Sequence, residues 1–309
     1  MSELSLVEFI KKFPTDKKSE KYFVKSRLEH GIRCKCCGGK RHYYLKNARK
    51  FRCKDCLFET TLRSGTVMEN SKLPMHYWFV AIYLLSHSKK PISALELQRL
   101  LGHKRYEPIY LMLRKLRIAM GNRDSLYQLG GRIELDESFF RASREVFKVS
   151  KQGNGTDQVN VVVMADTYPC EDDGSKQKGY RTNKAVSYLK MKVMDPSNQE
   201  DITEYVKETV KSDASIVSDA NPKYNLKDVV SEHTKHVVTG NKELLDQEFS
   251  WVHMAVSNAQ RNLLGIFHSV SIKYLQDYLD EFCYRFNRRC FKNPFKTYMR
   301  AMVLTSPYF

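Results

Sequence analysis

No stretch of the 309 residues is apolar over the length a bilayer core demands. The opening Met1-Ser-Glu-Leu-Ser-Leu has neither the basic start nor the apolar centre of a secretory signal. The sequence also has no internal repeat and no low-complexity segment. Acidic side chains are scarce: 35 Asp and Glu stand against 52 Lys and Arg, a formal net charge of +17. These absences leave a soluble, intracellular chain with no membrane partner. At 42% hydrophobic and 28% charged it is globular, and it is long enough for two or three domains. The cationic surplus points to a polyanionic partner, because neutralised phosphates release their counterions.

Of the eight cysteines, only Cys170, Cys283 and Cys290 lie outside one cluster, and in a reducing compartment such clustering speaks for metal rather than disulfides. Cys34-Lys-Cys-Cys37 and Cys53-Lys-Asp-Cys56 form two Cys-x-x-Cys knuckles at the separation of a four-thiolate zinc ribbon. Cys34, Cys37, Cys53 and Cys56 are the expected ligands, with Cys36 spare. Tyr43-Tyr-Leu and Lys50-Phe-Arg read as short hairpin strands between the knuckles. So small a unit takes its folding energy from the ion. Ahead of it, residues 4–13 read as a short amphipathic helix and Lys17 to Arg27 as a basic lead-in. Lys40, Arg41, Lys46, Arg49, Lys50, Arg52 and Lys54 favour nucleic acid as the ribbon's partner.

Residues 61–125 change character. Met75 to Ser86 is an apolar helix. A second helix begins at Ser93, with Glu96 completing a capping box, and stops at Gly102. A third, from about Tyr106 to Met120, carries Arg114, Lys115 and Arg117 on its non-apolar side. Two helices joined by a short glycine-containing turn predict a helix-turn-helix whose basic helix faces DNA.

From about Tyr127 strands and helices alternate. Ile133–Phe140, Val159–Asp166 and Leu189–Met194 read as strands, and Glu200–Lys211 as an amphipathic helix. Ile216–Asp219 and His233–Val238 read as two more strands, and helices follow from Lys242. Arg141–Asp157 is a basic loop and Pro169–Asn183 a polar one. The order predicts a ribonuclease-H-like α/β core over 126–309. Asp136 and Asp219 leave the first and fourth strands, which lie side by side in such a core. Hard carboxylate oxygens on rigid strand ends suit magnesium or manganese, and two-metal phosphoryl chemistry needs such a pair. Glu137, on the other side of its strand, reads as structural.

Zinc ribbon, helix-turn-helix, Leu-Asp-Glu-Ser-Phe, Ser-Asp-Ala and the closing Tyr278-Leu-Asp-Glu-Phe-Cys-Tyr-Arg-Phe-Asn-Arg-Arg289 together resemble the bacterial insertion-sequence DDE transposases with an N-terminal zinc ribbon. This is the ISXO2-like group, related to the Merlin elements, and the likeness spans nearly the whole chain. It implies binding of terminal inverted repeats, cleavage of element ends and joining to target DNA, by a homodimer on DNA in the cytoplasm at the nucleoid (the nucleus, in a eukaryote). It implies Asp136 and Asp219 as the first two catalytic aspartates. Where many members place Glu and, seven residues on, Lys, the alignment falls on His253 and Gln260. Asn258 is the other candidate for third ligand, and Arg261 could replace the lysine as a phosphate contact. Arg285, Arg288 and Arg289 are further expected DNA contacts. A catalytically impaired, domesticated relative acting as a DNA-binding regulator is the first alternative. A nuclease or resolvase without strand transfer is the second.

Overall fold

The computed structural model describes residues 4–143, 158–169, 184–194, 201–219, 226, 229–236 and 248–304. The chain divides into two compact units, residues 1–123 with 288–309, and residues 124–287.

In the first unit α1 (Leu6–Lys12) opens on a capping box between Ser5 and Glu8. The basic segment that follows is itself a helix, α2 (Asp16–His30), started by Thr15, whose hydroxyl accepts from the Lys18 amide. The sequence shows its charge more readily than the stripe it buries, Ser19, Phe23, Ser26 and Arg27. The ribbon follows as β1 (His42–Leu45), β2 (Lys50–Cys53) and β3 (Glu59–Thr61), antiparallel in that order. The third strand is too short to show an alternation in sequence. Next come α3 (Met75–His87), α4 (Ala94–Leu101) and α5 (Glu107–Asp124). Ser93 accepts from the Glu96 amide at 3.1 Å to start α4, and Gly102 ends it with a φ of 61° that favours glycine.

The second unit is a five-stranded sheet covered on both faces. Its strands are β4 (Arg132–Arg141), β5 (Gln158–Pro169), β6 (Lys184–Val193), β7 (Ser215–Asp219) and β8 (Glu232–His236), in the order β6-β5-β4-β7-β8. The first three are antiparallel, and β7 and β8 run parallel to β4. Alternation sorts the side chains. Ile133, Leu135, Met164 and Ile216 pack under α6 (Asp201–Thr209) through Ile202 and Val206. Phe140, Val161, Val163 and Leu189 face α7 (Ser250–Asn262) and α8 (Ile272–Asn287) through Val252, Ala255, Leu275 and Leu279. A single π turn, Leu263–Phe267, extends α7.

Helix α8 also closes the open border of β6. The Asn287 side chain accepts from Leu189 N at 2.7 Å and donates to Leu189 O at 3.0 Å. Gln276 does the same for Val193 N at 2.8 Å and Met191 O at 3.0 Å. Between them the Cys283 sulfur takes the Met191 amide. Three side chains on one helix face thus stand in for a missing sixth strand.

The chain then returns to the first unit as α9 (Pro294–Leu304). Phe295 joins a cluster of rings with Phe9, Phe13 and Phe79, and Met302 O accepts from Val67 N at 3.3 Å. Two differences from the sequence expectation follow. The ribbon and the helices after it are one compact unit rather than a 1–60 and a 61–125 domain. The chain after Asn287 groups with the first unit rather than with the expected 126–309 domain, because α9 brings Phe295 into the aromatic core there.

Candidate functional site

Each knuckle turns on a backbone that the sequence prescribes differently. Gly38 (φ 71°) and Leu57 (φ 63°) occupy equivalent places after the second cysteine, so only the first knuckle gives its residue there the conformation glycine prefers. The amides of Cys36 and Asp55 donate to the Cys34 and Cys53 sulfurs at 3.4 Å each. Amides of Cys37 and Cys36 hold the Cys34 thiol down, at about 6. The four sulfurs of Cys34, Cys37, Cys53 and Cys56 lie within 4.8 Å of one another. Cys34 to Cys56 is 3.5 Å and Cys37 to Cys53 is 3.7 Å. Zinc–sulfur bonds of about 2.3 Å in a tetrahedron require sulfur separations near 3.8 Å, so the set fits a structural zinc.

The second cluster is made by register. The parallel β4–β7 ladder pairs Glu134 with Val217 and Leu135 with Ser218, so the next step places Asp136 beside Asp219. Leu135 and Ile216 take the α6 face, which turns both aspartates to the face covered by α7. There the His253 Nε2 stands 3.7 Å from Asp136 Oδ2. The other Asp136 oxygen accepts from Glu137 N at 2.8 Å. Glu137 itself holds the Asn160 amide on β5. Among the described residues only the four sulfurs meet as a compact donor group, and His253 is 47% exposed. Asn258 is exposed, and the helical period turns it about 140° from His253. Gln260, back on the His253 face, donates to Phe139 O at 3.0 Å beyond the end of the β7 ladder.

What fixes α7 over the sheet is a residue the sequence reading passed over. Glu134 is fully buried, and its Oε2 accepts from the Trp251 and Val252 amides at 2.9 and 3.2 Å. A carboxylate at a helix start meets otherwise orphaned amides and the positive end of the dipole. Burial pushes the Glu134 carboxyl up, opposed by Lys184 and by these amides. Lys184 stands 3.7 Å from it and 3.5 Å from Glu248, and Glu248 also pairs with Arg132. The Trp251 indole donates to Lys184 O at 2.9 Å. The available signal was parity: Glu134 and Asp136 share a face of one strand, and an acid on the core side of a buried strand needs a partner.

The expected basic contacts separate. Arg261 and Arg289 are exposed and Arg114 is half-buried. The others are more enclosed. Lys115 donates to Glu69 O at 2.6 Å within its own unit, and Arg117 is 2% exposed because α5 buries Leu113, Leu116 and Met120 around it. Arg285 pairs with buried Glu281 at 3.2 Å, and Arg288 is 5% exposed. Arg117 and Arg288 are thus packed inside their units, while Lys115 and Arg285 are half-buried with partners of their own. The expected basic loop 141–157 falls outside the described residues except for its first three.

Two family models match the chain. The ISXO2-like transposase domain matches over residues 128–287, and a transposase zinc-ribbon domain matches over residues 14–57. An uncharacterized protein in transposable element ISH50 of Halobacterium salinarum is 23% identical over 316 residues, covering 96% of this chain and 99% of that protein. The crystal structure of a pre-cleavage Mos1 transpososome aligns with a TM-score of 0.26 at 13% identity, covering 72% of this chain and 82% of that one.

Proposed function

Since the chain belongs to the ISXO2-like transposase family, we propose that it is a DNA transposase that binds terminal inverted repeats, cleaves the element ends and joins them to target DNA. The observation that carries this is the register setting Asp136 beside Asp219, with His253 3.7 Å from Asp136. The sheet order, with three antiparallel strands continued by two parallel ones and helices on both faces, supports reading the second unit as ribonuclease-H-like. The capped α4, its Gly102 turn and α5 support a helix-turn-helix. Zinc on the four cysteines would hold the ribbon.

Asp136, Asp219 and His253 are the donors for the catalytic ions. Bound magnesium or manganese supplies activation of the attacking oxygen and stabilisation of the leaving one. The imidazole suits manganese better, since it is a softer donor than a carboxylate. Glu134 keeps His253 in place through the first amides of α7, so the protein's share of catalysis is positioning. Exposed Arg261 and Arg289, and half-buried Arg114, supply phosphate contacts. Cutting and joining two ends implies a homodimer on DNA, acting at the nucleoid.

The test is metal-dependent nicking of a repeat-containing duplex. Asp136→Ala and Asp219→Ala should each lower the rate on the order of 10³-fold or more while duplex binding persists. His253→Ala should follow them and Asn258→Ala should not. A second reading, a DNA-binding regulator that has lost catalysis, is favoured by His253 and Gln260 standing where the family usually has Glu and Lys. Tight binding with no cleavage in magnesium or manganese would establish it.

A further inference from the structure

The first unit contains a cleft of about 480 Å³ between the end of α2, the approach to the first knuckle and the turn after β3. Arg27, His30, Arg33, Lys35 and Lys40 line it, and none of its lining residues among those described is acidic. Arg27 is the fixed point. It is 5% exposed, its Nη2 donates to Ser64 O at 2.9 Å, and its guanidinium lies 5.8 Å over the Phe51 ring. Its buried Nε has no hydrogen-bond partner among the described residues. A buried guanidinium with an N–H left over is costly, and Arg27 lines the cleft, so an anion held there would offset its charge. The local field agrees. Burial chiefly holds the His30 imidazole below its ordinary range, and Arg300 and Lys296 add to it against the opposing Glu29. Glu69 pairs with Lys35 at 3.7 Å, but it also accepts from Gly65 N at 2.9 Å and Ser64 Oγ at 3.3 Å, and so is held on the turn.

We infer that this cleft binds a backbone phosphate of duplex DNA, with Arg27 as the rigid donor and the exposed Arg33, Lys35 and Lys40 closing around the anion. The inference rests on the transposase reading for its partner and deepens it: the grip is placed at the junction of ribbon and α2, on side chains distinct from the helix-turn-helix. A planar guanidinium preset by its neighbours loses little freedom on meeting phosphate.

The experiment measures duplex binding by the full chain over a salt series. It compares Arg33→Ala/Lys40→Ala with Lys17→Ala/Lys89→Ala, a charge-matched pair on exposed sites outside the cleft. The cleft variant should bind at least about tenfold more weakly at 0.1 M salt, with the slope of log K against log salt reduced by about one to two. Control affinity should change far less. Equal behaviour of the two variants overturns the inference while leaving the transposase reading intact. No binding by the wild type overturns both. Inorganic phosphate separates the remaining source: if it shifts the His30 imidazole resonance at constant ionic strength while the cleft variant binds DNA like wild type, the cleft serves a free phosphate and the DNA assignment fails.

Discussion

A fully buried carboxylate needs partners, and at Glu134 two helix amides hold Oε2 while Lys184, from a distant part of the chain, stands 3.7 Å from Oε1. Glu134→Ala removes these contacts and leaves Lys184 to Glu248 alone. We expect a destabilisation on the order of 3 kcal/mol, read as a lower urea midpoint at unchanged m-value. Glu134→Gln, which keeps an acceptor for the Trp251 and Val252 amides, should recover much of it and most of any lost cleavage. The same residues mark how far single positions are legible in sequence. The knuckle cysteines are close in sequence and carry their geometry in their spacing, so they can be read directly. The two aspartates follow from strand order. The His253–Asp136 approach and the Glu134 anchor join residues more than a hundred positions apart. Arg117 shows the converse: its charge suggests a surface that α5 does not give it.

Among the elements, α8 has the clearest division of labour, since its polar side chains address the β6 backbone. Asp280 accepts from Gln276 at 2.8 Å within that interface, and burial pushes its carboxyl up to about 7 from an ordinary 3.8. An acid with a raised native pKa takes up its proton more readily in the folded state. Its contribution to stability is therefore complete below 3.8 and is lost as pH climbs through about 7. Asp280→Asn should unfold near the wild-type temperature at pH 4 but about 3–8 °C higher at pH 8. A calorimetric series across that window checks it, and parallel curves would refute the assignment. The strands of this unit were legible because alternation persists for whole elements. The segment before the ribbon was less so, because the basic composition of α2 masks a narrow buried stripe. The family-like run ending at Asn287 reads as a signature without revealing that Asn287 and Gln276 are backbone partners.

At the scale of the molecule, the first unit is discontinuous in sequence, which no local pattern announces. Phe295 is 2% exposed among rings from α1 and α3. Phe295→Ala should cost about 3–5 kcal/mol and speed hydrogen exchange in α2 and α3, leaving the amides of β5 as slow as before. A chain ending at Asn287 should show the same pattern more severely. The two borders of the second unit's sheet differ in kind. β6 has its outward amides and carbonyls satisfied at Leu189, Met191 and Val193, whereas β8 is the other terminal strand. That stretch of β6 is therefore closed to strand pairing with a second copy, so which helix covers which strand already narrows the ways in which two copies can share a sheet.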